Sequence, residues 1–239
     1  MKKSKRMMRK FLLTLSSALL LVSLTVGATV AYLTDTEDVV NTFTVGNVQI
    51  DLDEAKVKYD EAKNEYVPVG TTREDVEQEY HLLPGTKIAK DPTVRVLEKS
   101  EKCYVRAMIS VSYDSEADAV LDAANWMSWI TWDTNWNITG LEPETVKTTV
   151  GEGENAKTLF TRTYEVRYIG GTNGIVDAKT EQKNLPIFTQ IKIPGTLTNE
   201  QIETLQGLSI TVVANAIQAN GFADADEAWL AFKGQQTNP

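Results

Sequence analysis

One histidine, His81, and one cysteine, Cys103, are all that 239 residues offer for imidazole or thiolate chemistry. A structural zinc site of the Cys/His type takes about four such ligands, and catalytic zinc usually takes two or three imidazoles. Ser-His-Asp or Cys-His catalysis would have to run through His81 alone. Acids stand near it in Glu77-Gln78-Glu79-Tyr80-His81, but no His-Glu-x-x-His occurs. The run leads into a Pro84-Gly85 turn signal, so a solvated loop is the reading that fits. A carboxylate-only metal site stays chemically open. The residues thus point to no catalytic group, no metal site and no cofactor. Cys103 has no partner for a disulfide and starts an apolar strand face, which makes it a small buried residue.

Other groups are also read structurally. Asp35-Thr36-Glu37-Asp38, Asp51-Leu52-Asp53-Glu54 and Asp224-Ala225-Asp226-Glu227 lack the spacing of a calcium loop; solvated charge suits them, and helix capping the third. Gly170 to Gly174 has the glycine content of a phosphate loop without the Lys-Ser/Thr that follows one, and a hairpin loop suffices. Trp126, Trp129, Trp132 and Trp136 recur at near-helical spacing, and core packing is favoured over a sugar- or partner-binding stripe.

Charge narrows the partners. The chain carries a net charge of −9 with 24 basic and 33 acidic residues. Residues 1–31 hold six of the basic residues and no acid, so the chain from Tyr32 has 18 basic against 33 acidic residues, a net of −15. Phosphate binding needs clustered Lys and Arg, so nucleic acid is excluded as a partner.

The basic start and the apolar run Phe11–Val30 have the layout of a secretory signal peptide. The run approaches the roughly 20 residues that span a bilayer. Small residues cluster at its end, and Asp35, Glu37 and Asp38 follow where a stop-transfer segment would be basic; both favour cleavage over anchoring. Thr29 and Ala31 suit the −3 and −1 positions, which starts the mature chain at Tyr32; cleavage after Ala28 is the alternative. The expectation is an exported chain that meets the membrane only before cleavage: 1–31 signal peptide, 32–239 one domain. The dense basic region with few cysteines fits a Gram-positive source.

Beyond residue 31 the pattern is that of strands. Phe43, Val45, Val48, Ile50 and Leu52 alternate around a Gly46-Asn47 break. Residues 53–80 fit neither period and read as an acidic insertion, either an exposed helix or a hairpin. Pro92 marks the strand region 87–96 as an edge or a bulge. Cys103–Tyr113 and Thr158–Ile169 alternate cleanly, and Leu185–Ile193 reads as one strand stopped by Pro194-Gly195. Leu208–Ala219, apolar on both faces, predicts a central strand. Ser115 with Asp118 opens a helix, Thr198 with Gln201 is a capping-box pattern, and Asp224 with Glu227 caps a C-terminal helix over 221–233. Strands dominate, short helices sit in connections, and no βαβ rhythm occurs. The expected fold is mainly β: an antiparallel, jelly-roll-like β-sandwich.

Three stretches carry a family resemblance. Ala31-Tyr32-Leu33-Thr34-Asp35-Thr36-Glu37 with Asn41-Thr42-Phe43-Thr44-Val45-Gly46-Asn47-Val48 resembles the processed start of the TasA/camelysin family, exported bacterial surface and biofilm-matrix proteins cut by a dedicated, eukaryote-like signal peptidase. Leu83-Pro84-Gly85, Lys90-Asp91-Pro92 and Tyr104-Val105-Arg106 are similar to its Pro-Gly turn and the strands after it. Ala214–Ala219, Gly221-Phe222 and Ala228-Trp229 are similar to its C-terminal end. The resemblance implies a jelly-roll sandwich that assembles with itself into extracellular fibres by donor-strand pairing, with signal peptidase and possible matrix proteins as further partners. The donor segment would be Tyr32 to Val45, with Leu33, Val39, Val40, Phe43 and Val45 as its apolar residues; a free strand adding to an open edge satisfies backbone groups along its length. Camelysin is also described as a metalloprotease, so a secreted protease is the rival reading, and a monomeric adhesin using the Trp-rich region a third. The missing ligands weigh against the protease.

Overall fold

The computed structural model describes residues 34–37 (backbone alone), 48–74, 78–123, 125–150 and 157–236, all within the unit Leu33–Pro239. The chain is mainly β. Its strands form two sheets around one core, a β-sandwich as the periodicity predicts. The six-stranded sheet runs β1 (Thr34–Glu37), β13 (Ser209–Gln218), β6 (Cys103–Asp114), β10 (Lys157–Tyr168), β8 (Trp136–Asn137), with β9 (Glu144–Val150) beside the other half of β10. The seven-stranded sheet runs β11 (Lys183–Pro186), β5 (Thr93–Val96), β2 (Ile50–Asp60), β3 (Glu65–Glu74), β4 (Lys87–Ile88), β12 (Phe188–Lys192), β7 (Ile130–Trp132). Every ladder is antiparallel except β3–β4.

β6 is the spine. Cys103, Val105, Ala107, Ile109, Val111 and Tyr113 point inward and are at most 1% exposed. Period-two alternation needs one face buried, and β6 has both neighbours paired along most of its length. Burial pushes the Cys103 thiol up to about 12, with the Asp177 carboxylate adding to the shift, so the thiol stays protonated and inert.

The outer face of β6 and β13 is not bare. Helix α3 (Ala225–Gln236) lies on it, packing Ala228, Trp229 and Phe232 over Tyr104, Ile217 and Ala219. Asp224 accepts from the Glu227 N–H at 3.0 Å, the cap its position predicts. Arg106, 4% exposed, is held between the Trp229 and Phe232 rings and donates to Asn215 and Glu165, each at 3.0 Å.

Several expectations are corrected. β13 is not central: it lies between β6 and the four-residue β1. Its second apolar face is covered by α3 and not by a further strand layer. The strand region around Pro92 is neither one edge nor a bulge but two strands, β4 and β5, in different ladders. Leu185–Ile193 likewise splits at Ile187, whose N–H bonds the Pro92 carbonyl at 2.9 Å between β11 and β12. Of the two readings of the acidic stretch, helix or hairpin, the described residues 53–74 take the second: they belong to the β2–β3 hairpin, part of the sheet, and Asn64 at φ 53 closes its turn. The helix after Ser115 is a 3₁₀ turn (Ser115–Ala117) capped by Asp114, then α1 (Asp118–Ala123). The capping box at Thr198 and Gln201 opens α2 (Asn199–Thr204) as read.

Candidate functional site

Two adjoining features could recruit another chain. The first is the β13 edge. β1 pairs with β13 in antiparallel register, Thr34 opposite Ile217, Asp35 opposite Ala216, Thr36 opposite Asn215 and Glu37 opposite Ala214. The pairing covers only the C-terminal half of β13. Among the described residues no strand continues it along Ser209–Val213. A strand edge of this kind leaves N–H and C=O groups along one side for another strand to take.

The second feature is a groove between the sheets under that uncovered half. It has a volume of about 1220 Å³ and takes in Ser209–Val212, the 78–84 segment, α2 and the start of β2. Its walls are largely apolar, with Leu82, Leu121, Ile191, Ile202 and Val212 among them. Sandwich interiors are packed at near-crystal density. A cleft of this size is large for such an interior, and it lies beneath the stretch of β13 that no described strand continues.

Polar residues interrupt the wall at several points, and one group of them is buried. Lys90, 9% exposed, sets its ammonium 2.5 Å from Glu54 Oε2. The Gln78 side chain donates to Glu54 Oε1 at 3.0 Å and to the Ala55 carbonyl at 3.0 Å, and accepts from the Val57 N–H at 2.9 Å. Lys90 also lies over the Tyr80 ring, 5.6 Å from its centroid. Among the described residues the buried Tyr80 hydroxyl has no hydrogen-bond partner, and its desolvation, reinforced by the Glu54 charge, raises its pKa. Behind this pair a second network ties the hairpin to β5. Arg73 pairs with both Asp53 and Asp91 and donates to Thr93, and Arg95 pairs with Asp53. Burial opposes the Arg73 charge, but Asp91 and Asp53 outweigh it and its pKa is raised. Asp53 and Glu54 are therefore structural ion-pair partners and not solvated charge, a correction to the composition reading. Sequence reasoning missed Glu54, Lys90 and Tyr80 as a group because the fold brings them together from β2 and two separate connections.

The sequence-derived site residues Thr29, Ala31, Tyr32, Leu33, Val39, Val40, Phe43 and Val45 lie outside the described residues; the donor segment is represented by β1. His81 is exposed, and its backbone N–H and carbonyl meet the Tyr66 hydroxyl. Among the described residues no three His, Cys, Asp or Glu side chains come together to hold a metal. No helix among them is long and apolar enough to cross a membrane. The tryptophans do not form a stripe. Trp126 and Trp129 sit on a 3₁₀ turn, Trp132 on β7 and Trp136 on β8, and all but the half-buried Trp132 are buried. Trp126 donates to the Tyr164 hydroxyl at 3.3 Å and Trp136 to the Pro186 carbonyl at 2.8 Å. Packing accounts for them.

Comparison with known proteins gives one match. Residues 6–63 match the model of the camelysin metallo-endopeptidase family. The matched stretch takes in the apolar run Phe11–Val30, β1 and all of β2, and over it the chain is similar to that family. The Pro-Gly turn and the C-terminal block lie outside it. No curated protein and no solved structure matches the chain.

Proposed function

For a chain of the camelysin type over its first quarter, we propose an exported cell-surface or matrix protein that assembles with itself by strand addition. The leader, residues 1–31, is removed by signal peptidase between Ala31 and Tyr32, with Thr29 and Ala31 framing the cut. The freed segment from Tyr32 to Val45 of one copy adds to β13 of the next. Head-to-tail addition of this kind does not close and builds a fibre.

The observation that supports the reading is the β13 edge, paired among the described residues along only half its length, above a partly apolar groove. β1 marks where the leading segment pairs in a single copy. In the fibre, the same strand from a neighbour replaces it and continues along Ser209–Val213. Deleting Tyr32 to Asn41 from the chain that starts at Tyr32 should leave a folded monomer and no filaments by electron microscopy. Filaments that persist overturn the proposal.

A protease reading is favoured by one finding, the printed description of the matched family. The described residues do not fit a resident metal, since no three candidate ligands converge. Casein hydrolysis by the purified chain that a chelator abolishes would establish the protease.

A further inference from the structure

We propose that the side chains of Lys90 and Gln78 join in an intramolecular amide bond, formed with Glu54 as proton carrier and with loss of ammonia. The bond is independent of the assembly reading above.

Lys90 is the only lysine among the described residues that line the groove. Burial also sets it apart. Its side chain and that of Glu54 are 10% and 12% exposed, whereas the lysines of the other ion pairs, Lys56, Lys63, Lys87, Lys102, Lys157 and Lys183, are 37% exposed or more. Taking two charges out of water is costly, and passing a proton from the ammonium to the carboxylate removes both. The Tyr80 ring lies beside the pair, 5.6 Å from the Lys90 nitrogen, and helps keep water from it.

The groups that an acyl transfer requires are in contact. Lys90 Nζ, the nucleophile, stands 2.5 Å from Glu54 Oε2. Gln78 Nε2, the leaving group, donates to Glu54 Oε1 at 3.0 Å. One carboxylate thus holds amine and amide side by side, the proximity that makes attack an intramolecular step. Gln78 Oε1 accepts from the Val57 backbone N–H at 2.9 Å, the place of an oxyanion donor. Nε2 also donates to the Ala55 carbonyl at 3.0 Å. These backbone groups are released by an irregularity: the β2–β3 ladder shifts register between Ala55 and Val57. Such a bulge takes backbone groups out of the ladder, and here they clamp the carboxamide.

The chemistry balances within the three side chains. Glu54 Oε2 takes a proton from the Lys90 ammonium. The amine lone pair attacks Gln78 Cδ, a C–N bond forms, and the carbonyl pair moves to Oε1, where the Val57 N–H holds it. Glu54 gives its proton to Nε2 and takes another from the attacking nitrogen. The Cδ–Nε2 bond breaks as the carbonyl re-forms. Ammonia leaves and carries off the proton on Glu54 as ammonium, so no oxidant or co-reactant is needed. The product closes the stretch 78–90 into a ring through the Pro84-Gly85 turn. It ties one wall of the groove to the β4–β5 connection, a covalent brace in a chain whose single cysteine has no internal partner.

The test is peptide mass spectrometry on the whole purified chain, denatured and digested with trypsin. With the bond, the peptide containing Gln78 (74–87) should appear linked to 88–95, because cleavage after an acylated Lys90 fails. The mass should be that of the two peptides less one ammonia. A folded wild-type chain that yields 74–87 and 88–90 as separate peptides overturns the proposal, and no variant's folding affects that measurement. Glu54→Gln, with folding checked by a cooperative melt, should lose the linked species. Lys90→Arg, which keeps a cation beside Glu54 and removes the nucleophile, should lose it too. The same yield of link in Glu54→Gln overturns Glu54 as proton carrier. A link that has lost water and joins positions 54 and 90 overturns Gln78 as the acyl donor. Strand addition stands or falls separately, by the filament assay.

Discussion

Locking the leading strand onto its own sheet should stop assembly and stabilise the monomer. Glu37 and Ala214 are opposite partners on β1 and β13. Opposite Cβ atoms in an antiparallel pair stand about 4.5–5.5 Å apart, near the separation a disulfide spans. In a Cys103→Ala background, Glu37→Cys with Ala214→Cys can be oxidised at high dilution, where only the internal bond forms. The bond closes a loop of about 180 residues, and the chain-entropy relation gives about 5 kcal/mol for a loop of that length. The oxidised monomer should therefore melt well above its reduced form and show no filaments by electron microscopy. Reduction should release the strand and restore growth. At high concentration in growing fibres, the same cysteines should give a ladder of covalent oligomers on a non-reducing gel. Oxidised monomer that polymerises at the reduced rate would refute β13 as the acceptor edge.

Three further outcomes follow from the same structure. Lys147 lies over the Phe160 ring at 4.6 Å, an inward charge on the fully exposed edge strand β9, where Val146 and Val150 are also exposed; edges are commonly blunted in this way, so Lys147→Val should produce side-by-side association by light scattering, and a variant as monodisperse as wild type would contradict the role. The Cys103 pKa is raised from 9.0 to about 12, so the folded state holds its proton longer; this contribution is complete below pH 9 and is lost as pH rises through 9 toward 12, and urea midpoints from pH 8 to 11 should fall less steeply in Cys103→Ala than in wild type. Trp229 of α3 is fully buried against the sheet, and Trp229→Ala should cost about 3–5 kcal/mol, read as a drop of about 10 °C in Tm; a drop of a degree or two would mean that the helix is not fastened by that ring.

The strands legible in the sequence are those with one face in the core and one outside it. β6 and β10 show clean alternation for that reason, and both lie where the alternation places them. β13 misleads because Ile217 on its outer face meets Trp229 and Phe232 in a second cluster, so an apolar run next to the sheet edge looks like a central strand. The split at Ile187 leaves no mark in an otherwise regular run, since it is made by a distant carbonyl, that of Pro92. The tryptophan spacing imitates a helix across a 3₁₀ turn and two short strands. The acids at 53 and 54 look solvated because their partners, Arg73, Lys90 and Arg95, lie about 20 to 40 residues away. The groove is legible only as a consequence of these pairings, since nothing local marks a gap between sheets.

A self-paired edge is compatible with assembly, but only at a definite energetic cost. A strand tethered to its own domain by a short linker acts at an effective concentration in the millimolar range. At about 10 μM of chain, a neighbour's strand competes at a disadvantage of roughly 100-fold, or about 2.7 kcal/mol. Exchange proceeds only if pairing between copies makes contacts that pairing within a copy does not. Among the described residues, pairing within one copy stops at Glu37 and Ala214, short of the groove. Burying about 110 Å² of apolar surface in that groove would offset the difference at about 25 cal/mol per Å². One aromatic ring supplies that much, and Phe43 is the only aromatic side chain between Tyr32 and Tyr59. Phe43→Ala should therefore raise the concentration at which fibres first appear by about ten- to a hundredfold, a shift of about 1.4–2.7 kcal/mol, while leaving the monomer's melting temperature in place. An unchanged threshold in sedimentation assays would mean that the groove contributes nothing to exchange.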